Sequence, residues 1–425
     1  MVKKLSLILM LVGMATISAN AEIIRDSSLG SPLLNIDDDA IVRLYPAALQ
    51  NFPSRLWLTI TGVGTYTIGG AYIGGNMLGI SAEYSTSTGN ENFDVPAISY
   101  WAGTYSPSFS EHLAILSYGV KLSDSMLLGV GIQNTFPEGN YISQTVDSNE
   151  KIVSAQKYAG LKSAISPSAV LSLGDKITIF GKIDLKLNLM KYEEFDTYET
   201  NKLTISPSTL NELGLSVLGT YQLNEKTLVG AAIGFSLENN NYSVETITNT
   251  KKEISTNYIG KNPLTIGLAL GARVKADEKV TLFFTIPLGI SIAEDGHWEG
   301  VKNFNYNKTT TWTIPTLSLA GEVEVLKNLF FRLYANPSWI RTVTEPAGYE
   351  GTGTPKSIIY NNTYGITTGL DLGYQIGSLT IDGTLNAAWF TETIRNPLER
   401  VAEIFNSSYG ATTPILLNAQ LKYSF

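Results

Sequence analysis

The sequence contains two histidines, the side chains that most readily act as general bases near neutral pH. His112 follows Glu111 at the beginning of an apolar run, and His297 lies in the polar stretch 294–298. A hydrolase holds such a histidine beside a nucleophile or an aspartate, so that the ring can accept a proton. Neither stretch contains a motif of that kind. We therefore predict neither catalytic residues nor enzyme activity.

A run of carboxylates at 193–199 suggests a Ca²⁺ site, because this cation prefers oxygen ligands. The run reads Glu-Glu-Phe-Asp-Thr-Tyr-Glu and lacks the glycine that forms the sharp turn of a calcium loop. A solvated acidic loop is the favoured interpretation. The chain has no cysteine, which removes disulfides and thiolate ligands. We predict no metal site and no cofactor.

The last stretch, 415–425, predicts the element around which the fold is organised. From Ile415 onward, alternate residues are Ile, Leu, Ala, Leu, Tyr and Phe, and the residues between them are Leu, Asn, Gln, Lys and Ser. A period of two gives a strand one apolar and one polar face. We expect a closing strand between lipid and water rather than the last strand of a soluble sandwich. Tyr423 and Phe425 resemble the aromatic C-terminal signal of bacterial outer-membrane barrels, and the resemblance implies the barrel assembly machinery as a partner.

Residues 1–21 have the three regions of a secretory signal peptide. Lys3 and Lys4 precede the apolar run 5–17, and Ala19-Asn20-Ala21 precedes Glu22, where we expect the mature chain to begin. The apolar run is too short to span a bilayer of about 30 Å, and charged residues interrupt the apolar segment 177–190. A membrane-spanning form of this chain would therefore be a barrel.

The composition and charge exclude some classes of protein. The net charge is −8 without a basic cluster, which argues against a nucleic-acid partner. The length would allow two or three soluble domains, but the strand-and-turn texture is uniform and no linker divides it. We predict a signal peptide at 1–21, an N-terminal segment at 22–54 and one barrel domain at 55–425.

A repeated pattern predicts an all-β fold, a transmembrane antiparallel β-barrel of about 14 (14–16) strands. Tight polar turns centre on 123–125, 174–176, 224–226, 277–279, 327–328 and 377–378. Long polar loops lie between them, at 137–163, 191–212, 239–262, 294–312, 341–362 and 391–411. Short turns on one rim and long loops on the other are typical of outer-membrane barrels. The higher count holds if residues 64–105 add a pair, although we interpret the glycine-rich piece 69–75 as turns and bends.

Charged residues recur on one parity of the strands. An outward Lys or Arg at mid-bilayer costs about 2–4 kcal/mol, so this parity must face inward. The inward charged residues are Glu83, Lys121, Lys182, Asp184, Lys186, Glu238, Arg273, Lys275, Glu322, Glu324, Arg332, Asp371, Asp382 and Lys422. Two interpretations remain open: paired charges that brace a plugged lumen, which we favour, or a channel with weak ion preference.

Residues 22–54 do not alternate and predict one or two short helical turns, closed by Pro53. So short a segment cannot form its own core, and the lumen of a barrel is the available host. Here the chain resembles the FadL-like outer-membrane family of Gram-negative bacteria, whose N-terminal region carries acidic residues and then an Asn-Pro-Ala-x-Leu-like turn. The matching residues are Asp38, Asp39, Pro46, Ala47 and Leu49, with Tyr45 at the position of the family's Asn. The resemblance implies a hatch that plugs the barrel.

The resemblance also implies passive uptake of small hydrophobic compounds across the outer membrane, with lipid and a small hydrophobic ligand as partners. Two alternatives are a water-filled diffusion porin and a structural or assembly barrel that transports nothing. Pro287 lies inside the apolar stretch 280–290 and lacks an N–H group, which predicts a bulge or a break in the wall. FadL-like channels have such a break, through which an oily substrate passes sideways.

Overall fold

The computed structural model describes residues 33–36, 41–61, 65–74, 78–90, 93–95, 103–105, 108–137, 141–146, 152–196, 201–248, 251–260, 262–294, 296–299, 307–346, 358–385 and 416–425. The proposed signal peptide, Asp38, Asp39 and the loop 391–411 lie outside these residues. An α-helical turn, α1 (Ile41–Leu44), and a 3₁₀ helix (Pro46–Asn51) precede the strands. Within the described part of the chain, no helix is long and apolar enough to cross a bilayer.

The strands fall into three sheets. The largest contains β1 (Arg55–Thr61), β2 (Thr65–Gly74), β3 (Leu78–Asn90), β6 (Ser108–Ser123), β7 (Met126–Pro137), β10 (Lys162–Leu173), β11 (Ile177–Asn188), β14 (Leu210–Asn224), β15 (Thr227–Glu238), β18 (Leu264–Lys275), β19 (Val280–Glu294), β21 (Asn307–Ile314), β22 (Ser318–Leu326), β23 (Leu329–Pro346), β24 (Ile359–Ile376), β25 (Leu379–Leu385) and β26 (Leu416–Ser424). The second contains β8 (Tyr141–Val146), β9 (Ile152–Ala159), β12 (Lys191–Asp196), β13 (Asn201–Pro207), β16 (Tyr242–Thr248), β17 (Lys251–Ile259) and β20 (His297–Trp298). The third pairs β4 (Phe93–Val95) with β5 (Gly103–Tyr105).

The largest sheet closes into an antiparallel barrel. Each strand pairs with its neighbours along the chain, and the last strand, β26, pairs with β1 from Arg55↔Ser424 to Thr61↔Asn418. The sheet has 17 strands, but β21 and β22 both lie between β19 and β23 and form one interrupted position. The wall therefore has 16 positions.

The lower count of 14 strands is wrong, because residues 65–90 supply the additional pair, β2 and β3. The glycine-rich piece 69–75 was expected to form bends, but residues 69–74 belong to strand β2. Its register with β1 places Gly69 opposite Trp57, and a Cβ at Gly69 would overlap the indole ring. The glycine is thus explained by a close approach within a strand.

The two faces of the wall differ as the alternation predicts. Large apolar side chains remain exposed along the outer face, among them Leu116, Ile183, Leu215, Ile233, Leu270 and Leu333. Exposed tyrosines near the short turns, Tyr221, Tyr374 and Tyr423, belong to the same face. So large an exposed apolar surface indicates a wall that faces hydrocarbon.

Four of the long loops are not irregular polar loops. The segments 137–163, 191–212, 239–262 and 294–312 contribute β8, β9, β12, β13, β16, β17 and β20, which form the seven-stranded second sheet beyond the long-loop rim. One face of this sheet is buried, with Tyr192, Leu203, Ile205 and Val244 at most 1% exposed. The alternation of these segments was masked in the sequence by their many hydroxyl and charged residues.

We expect Ile233→Arg to lower the free energy of unfolding by about 2–4 kcal/mol, because Ile233 is 55% exposed on the lipid-facing side of β15. Urea titration of the protein refolded into lipid vesicles measures this loss. The control is Ser236→Arg, on the opposite face of the same strand, for which we expect less than about 1 kcal/mol. Equal losses for the two variants would contradict the assignment of the faces.

Candidate functional site

The N-terminal segment packs against the inner face of the wall. Pro46 occupies the first position of the 3₁₀ helix, where its missing N–H group leaves no intrahelical bond unmade. Ala47, Ala48 and Leu49 are 0% exposed. They belong to one apolar cluster together with the wall residues Trp57, Ala71, Leu127, Val170, Phe180, Leu218 and Leu228. The helical turns are therefore stabilised by burial rather than by their own length.

Glycines in the neighbouring strands β6 and β7 leave room for the segment, because they carry no side chain. A Cβ at Gly129 of β7 would overlap the backbone of Ala47, and a Cβ at Gly131 would lie 2.9 Å from the Pro46 side chain. A Cβ at Gly119 of β6 would lie 3.3 Å from the carbonyl oxygen of Pro46, which is also a tight contact. Contact this close to a strand backbone is open only to glycine.

Several polar contacts connect the segment to the wall. The Arg43 guanidinium forms a two-pronged ion pair with the buried carboxylate of Glu83. The Ala47 N–H donates to Ser168 Oγ at 2.8 Å, Gln50 Nε2 donates to the Gly119 carbonyl at 3.0 Å, and the Leu33 N–H donates to Thr285 Oγ1 at 3.3 Å. The segment thus contacts opposite sides of the lumen, at Glu83 in β3 and at Thr285 in β19.

Of the residues that carried the FadL-like resemblance, Tyr45, Pro46, Ala47 and Leu49 are buried in this cluster. The Tyr45 ring lies 5.4 Å from the Phe180 ring. Arg43 and the docking glycines were not singled out from the sequence, because their role depends on contacts between residues tens of positions apart.

A second polar cluster lies on the wall formed by β22, β23, β24 and β25. Arg332 is 3% exposed, and its guanidinium bonds Glu322 at 2.5 Å, Asp371 at 2.7 Å and Asp382 at 2.6 Å. Gly373 leaves room for it, since a Cβ there would meet both Asp382 and the guanidinium. Four of the predicted lumen residues are therefore brought together as one buried ion network.

The other predicted lumen charges are dispersed along the inner face. Lys182 Nζ lies 2.7 Å from Asp184 Oδ2, and Lys186 Nζ lies 2.5 Å from Glu212 Oε2. The register places Arg273 opposite Phe283 and Lys275 opposite Thr281, in β18 and β19. Glu324 Oε1 accepts a hydrogen bond from the Asn328 N–H at the turn, where Asn328 has a φ of 66°.

A small cavity of about 250 Å³ lies between the N-terminal segment and the wall at the short-turn rim. Leu127, Val170 and Phe180 line its apolar floor, and Lys121 and Asp124 lie at its polar edge with 2.7 Å between Nζ and Oδ1. The hydrogen bond from Lys121, with its charge, lowers the pKa of the Asp124 carboxyl in this turn.

The acidic run 193–199 does not begin as a solvated loop, because residues 193–196 belong to strand β12. Burial alone would raise the pKa of Glu193, but the hydrogen bonds and charges of Lys191 and Lys202 outweigh it, and the pKa is lowered. The carboxylate therefore stabilises the sheet at neutral pH, and this contribution is lost as the pH falls through the lowered value. Glu194 points to the other face and accepts a hydrogen bond from the Tyr192 hydroxyl at 2.7 Å.

The two histidines lie in strands β6 and β20. His112 hydrogen-bonds the Tyr84 hydroxyl through Nδ1, and its ring stacks on Phe136 at 6.0 Å. His297 pairs with Ile259 at the edge of the second sheet. Among the described residues, no group of His, Asp and Glu has the arrangement of a metal site. At the end of the chain, the Tyr423 and Phe425 rings stack at 6.2 Å.

The wall is interrupted at Pro287 in β19, at Pro315 between β21 and β22, and at Pro337 in β23. β19 pairs with β22 as far as Thr285↔Ser318 and with β21 from Gly289↔Thr313, so 286–288 have no ladder partner on that side. Residues 315–317 separate β21 from β22, and 336–338 of β23, which pair with β24, lie opposite them between the β21 and β22 ladders. We call the residues 286–288, 315–317 and 336–338 the wall interruption.

Pro287, Pro315 and Pro337 each lack the N–H group that a ladder needs. Of the three, only Pro287 was singled out from the sequence. Pro315 and Pro337 could have been found as prolines on the two sides of the tight turn at 327–328, inside segments that otherwise have a strand pattern.

We expect Gly129→Val to displace the N-terminal segment, because a side chain there overlaps Ala47. The chain has no cysteine, so Ala48→Cys supplies a single probe whose labelling rate by a water-soluble maleimide reports exposure. We expect labelling to rise at least tenfold, the factor for about 1.4 kcal/mol of lost docking energy. Gly234→Val is the control, since only the Leu215 carbonyl oxygen, at 4.0 Å, lies near a Cβ there. An unchanged rate in Gly129→Val would refute the docking geometry.

We expect Arg332→Leu to cost about 3–5 kcal/mol of unfolding free energy, because it leaves buried carboxylates without their partner. Lys186→Met is the comparison. Lys186 is 49% exposed in its pair with Glu212, and we expect a loss of at most about 1 kcal/mol. Denaturant titration in detergent micelles measures both losses, and a small effect at Arg332 would show that the network does not brace the wall.

The chain is similar to several solved structures. A FadL homologue from Pseudomonas aeruginosa aligns with a TM-score of 0.45 and 10% identity, over 96% of this chain and 98% of that chain. The toluene transporter TodX from Pseudomonas putida aligns with a TM-score of 0.38 and 11% identity, over 96% of each chain. The CymD monoaromatic hydrocarbon channel aligns with a TM-score of 0.38 and 13% identity, over 96% of this chain and 98% of that chain. No protein-family model and no curated protein matches this sequence. The solved structures include the FadL-like kind of barrel that the N-terminal residues resemble.

Proposed function

We propose that this protein is an outer-membrane channel for the passive uptake of small hydrophobic compounds, which leave the lumen sideways through the wall interruption. The observation that carries the proposal is the position of two features relative to each other. The N-terminal segment contacts the short-turn half of the wall strands, and the wall interruption lies at mid-height, just beyond Thr285, which accepts a hydrogen bond from the Leu33 N–H. A compound stopped by the segment would meet the interruption.

The N-terminal segment acts as the hatch in this proposal. Its contacts with Glu83 on one side and Thr285 on the other support a segment that crosses the lumen. The direct path toward the short turns is then closed to a solute, and the charges of the Arg332 network disfavour an apolar compound there.

The wall interruption is the sideways exit. On one side of it, Pro287 remains paired with Ala269 in β18, and on the other Pro337 remains paired with Ile366 in β24. The barrel is therefore continuous on both flanks of the wall interruption. Thr316 Oγ1 donates to the Pro337 carbonyl at 2.7 Å and satisfies one of the backbone groups left there.

The hydrophobic effect supplies the driving force without an energy source. Transfer of an apolar compound from water to hydrocarbon is favourable by about 25 cal/mol per Å² of buried surface, or about 0.8 kcal/mol per CH₂ group. Transfer of a hydrated ion into the bilayer through the wall interruption is unfavourable, because the ion would lose its hydration. The route therefore selects hydrophobic compounds, because it ends in the hydrocarbon of the bilayer.

A water-filled diffusion porin is the main alternative. It requires a continuous hydrated lumen, and the contacts of the N-terminal segment argue against it. A structural barrel that transports nothing requires neither the segment nor the wall interruption.

The proposal is tested by restoring the missing N–H groups in the triple variant Pro287→Val, Pro315→Val and Pro337→Val. We expect the uptake of a radiolabelled hydrophobic compound, measured in cells that lack their own channel for it, to fall to the level of the empty host. Pro167→Val is the control, because Pro167 also lies inside a wall strand but on the opposite side, paired with Val130. The change in gel mobility on heating verifies that each variant folds.

Planar-bilayer recording separates the alternatives. We expect the native barrel to be electrically silent. A large steady conductance would establish the porin instead, and a silent barrel without uptake would leave the structural role. Full uptake by the triple variant would remove the sideways route.

A further inference from the structure

The inner wall beside the interruption is layered in cross-strand rows. One row on the short-turn side of the wall contains the charged residues Glu322, Arg332 and Asp371, which are opposite one another in β22, β23 and β24. The next row contains Phe283, Ala320, Tyr334 and Gly369. The third contains Thr285 and Ser318, followed by the wall interruption. The second row, which contains Phe283 and Tyr334, therefore lies between the ion network and the wall interruption. We call this row the sill.

Tyr334 lies flat on the wall because its neighbour is glycine. A Cβ at Gly369 would fall within the Tyr334 ring, so the ring covers the backbone of β24. The ring packs against Phe283 and Ala320. Phe283 is 2% exposed and Ala320 is 7% exposed, whereas Tyr334 is only partly buried. Tyr334 therefore offers an aromatic face to the lumen.

We infer that Tyr334, held flat by Gly369 at the sill, selects planar ring compounds for the exit through the wall interruption; the inference rests on the proposed function. An aromatic face attracts a second ring in an offset or edge-on arrangement with 4.5–7 Å between ring centres. A planar ligand makes this contact over its whole area, and a globular one of equal size touches the ring at a few atoms. The charged row on one side and the hydroxyl row on the other are poorer surfaces for an apolar ring, so the sill is where such a ligand rests.

Two substitutions change the sill in opposite ways. Gly369→Ala inserts a methyl group beneath the Tyr334 ring and lifts it into the passage. Tyr334→Ala removes the aromatic face and widens the passage, while Tyr334→Phe keeps the ring. Gly234→Ala is the matched control, because it adds the same methyl group to the inner face of β15, where the Leu215 carbonyl oxygen would lie 4.0 Å from the new Cβ.

The probes are naphthalene, which is planar, and adamantane, a globular hydrocarbon with the same number of carbon atoms. The measurement is the initial rate of accumulation of each radiolabelled probe by cells that display equal amounts of each variant. We expect Gly369→Ala to slow naphthalene uptake about two- to tenfold, the range for the loss of one aromatic contact. We expect Tyr334→Ala to lower the ratio of naphthalene to adamantane uptake by a similar factor, and Tyr334→Phe and Gly234→Ala to keep the native values.

Native ratios in both Gly369→Ala and Tyr334→Ala, with uptake intact, would overturn the sill and leave the channel standing. An equal loss in Gly234→Ala would also overturn it, since any methyl group in the lumen would then suffice. Uptake of neither probe by the native protein would overturn the proposed function and the sill with it.

Discussion

The fold depends on the need to pair every backbone N–H and C=O group that lies in hydrocarbon, where each unpaired group costs several kcal/mol. Closure of the sheet meets this requirement, because the ladder between β26 and β1 leaves the described wall strands with neighbours on both sides. Closure also fixes the faces. A slip of one residue would place Lys182 and Asp184 in lipid and Ile183 in the lumen. The alternation of the sequence and the closure of the barrel are therefore one constraint seen at two levels.

The cost of an unpaired backbone group makes the wall interruption informative. A single proline can be accommodated in such a wall: Pro167 keeps its place in the ladder with Val130, although the ladder with β11 skips 166 and 167. Three prolines at one level of three adjacent wall positions are a different matter, because none of them has an N–H group to donate to a neighbouring strand there. The proposed exit lies where the sequence most clearly breaks the rule that holds the rest of the barrel together.

The sequence predicted the parts of this structure that depend on local pattern. Charge parity predicted the inner face, and in the structure Lys182, Arg332 and Asp382 alternate with the exposed apolar side chains of Ile183, Leu333 and Ile381. The strand count failed at β2, where glycines hid a strand that packs against Trp57. The second sheet was missed because hydroxyl-rich strands alternate too weakly to be recognised. The docking of Pro46 and Ala47 on Gly129 and Gly131 could not be predicted, because it depends on a contact between segments about 80 residues apart.

The energetics of the N-terminal segment favour a route that leaves it in place. Opening the lumen toward the short turns would separate the ion pair of Arg43 with Glu83 and would expose the fully buried Ala47, Ala48 and Leu49 to water, where the leucine side chain alone would lose about 1.5–3 kcal/mol of burial energy. Entry of one small apolar compound into hydrocarbon releases only a few kcal/mol. Such a ligand therefore cannot drive the removal of the segment by itself. A passage through the wall requires none of these contacts to break. Passive transport through the wall interruption beside Pro287 is therefore favoured over a path toward the short turns.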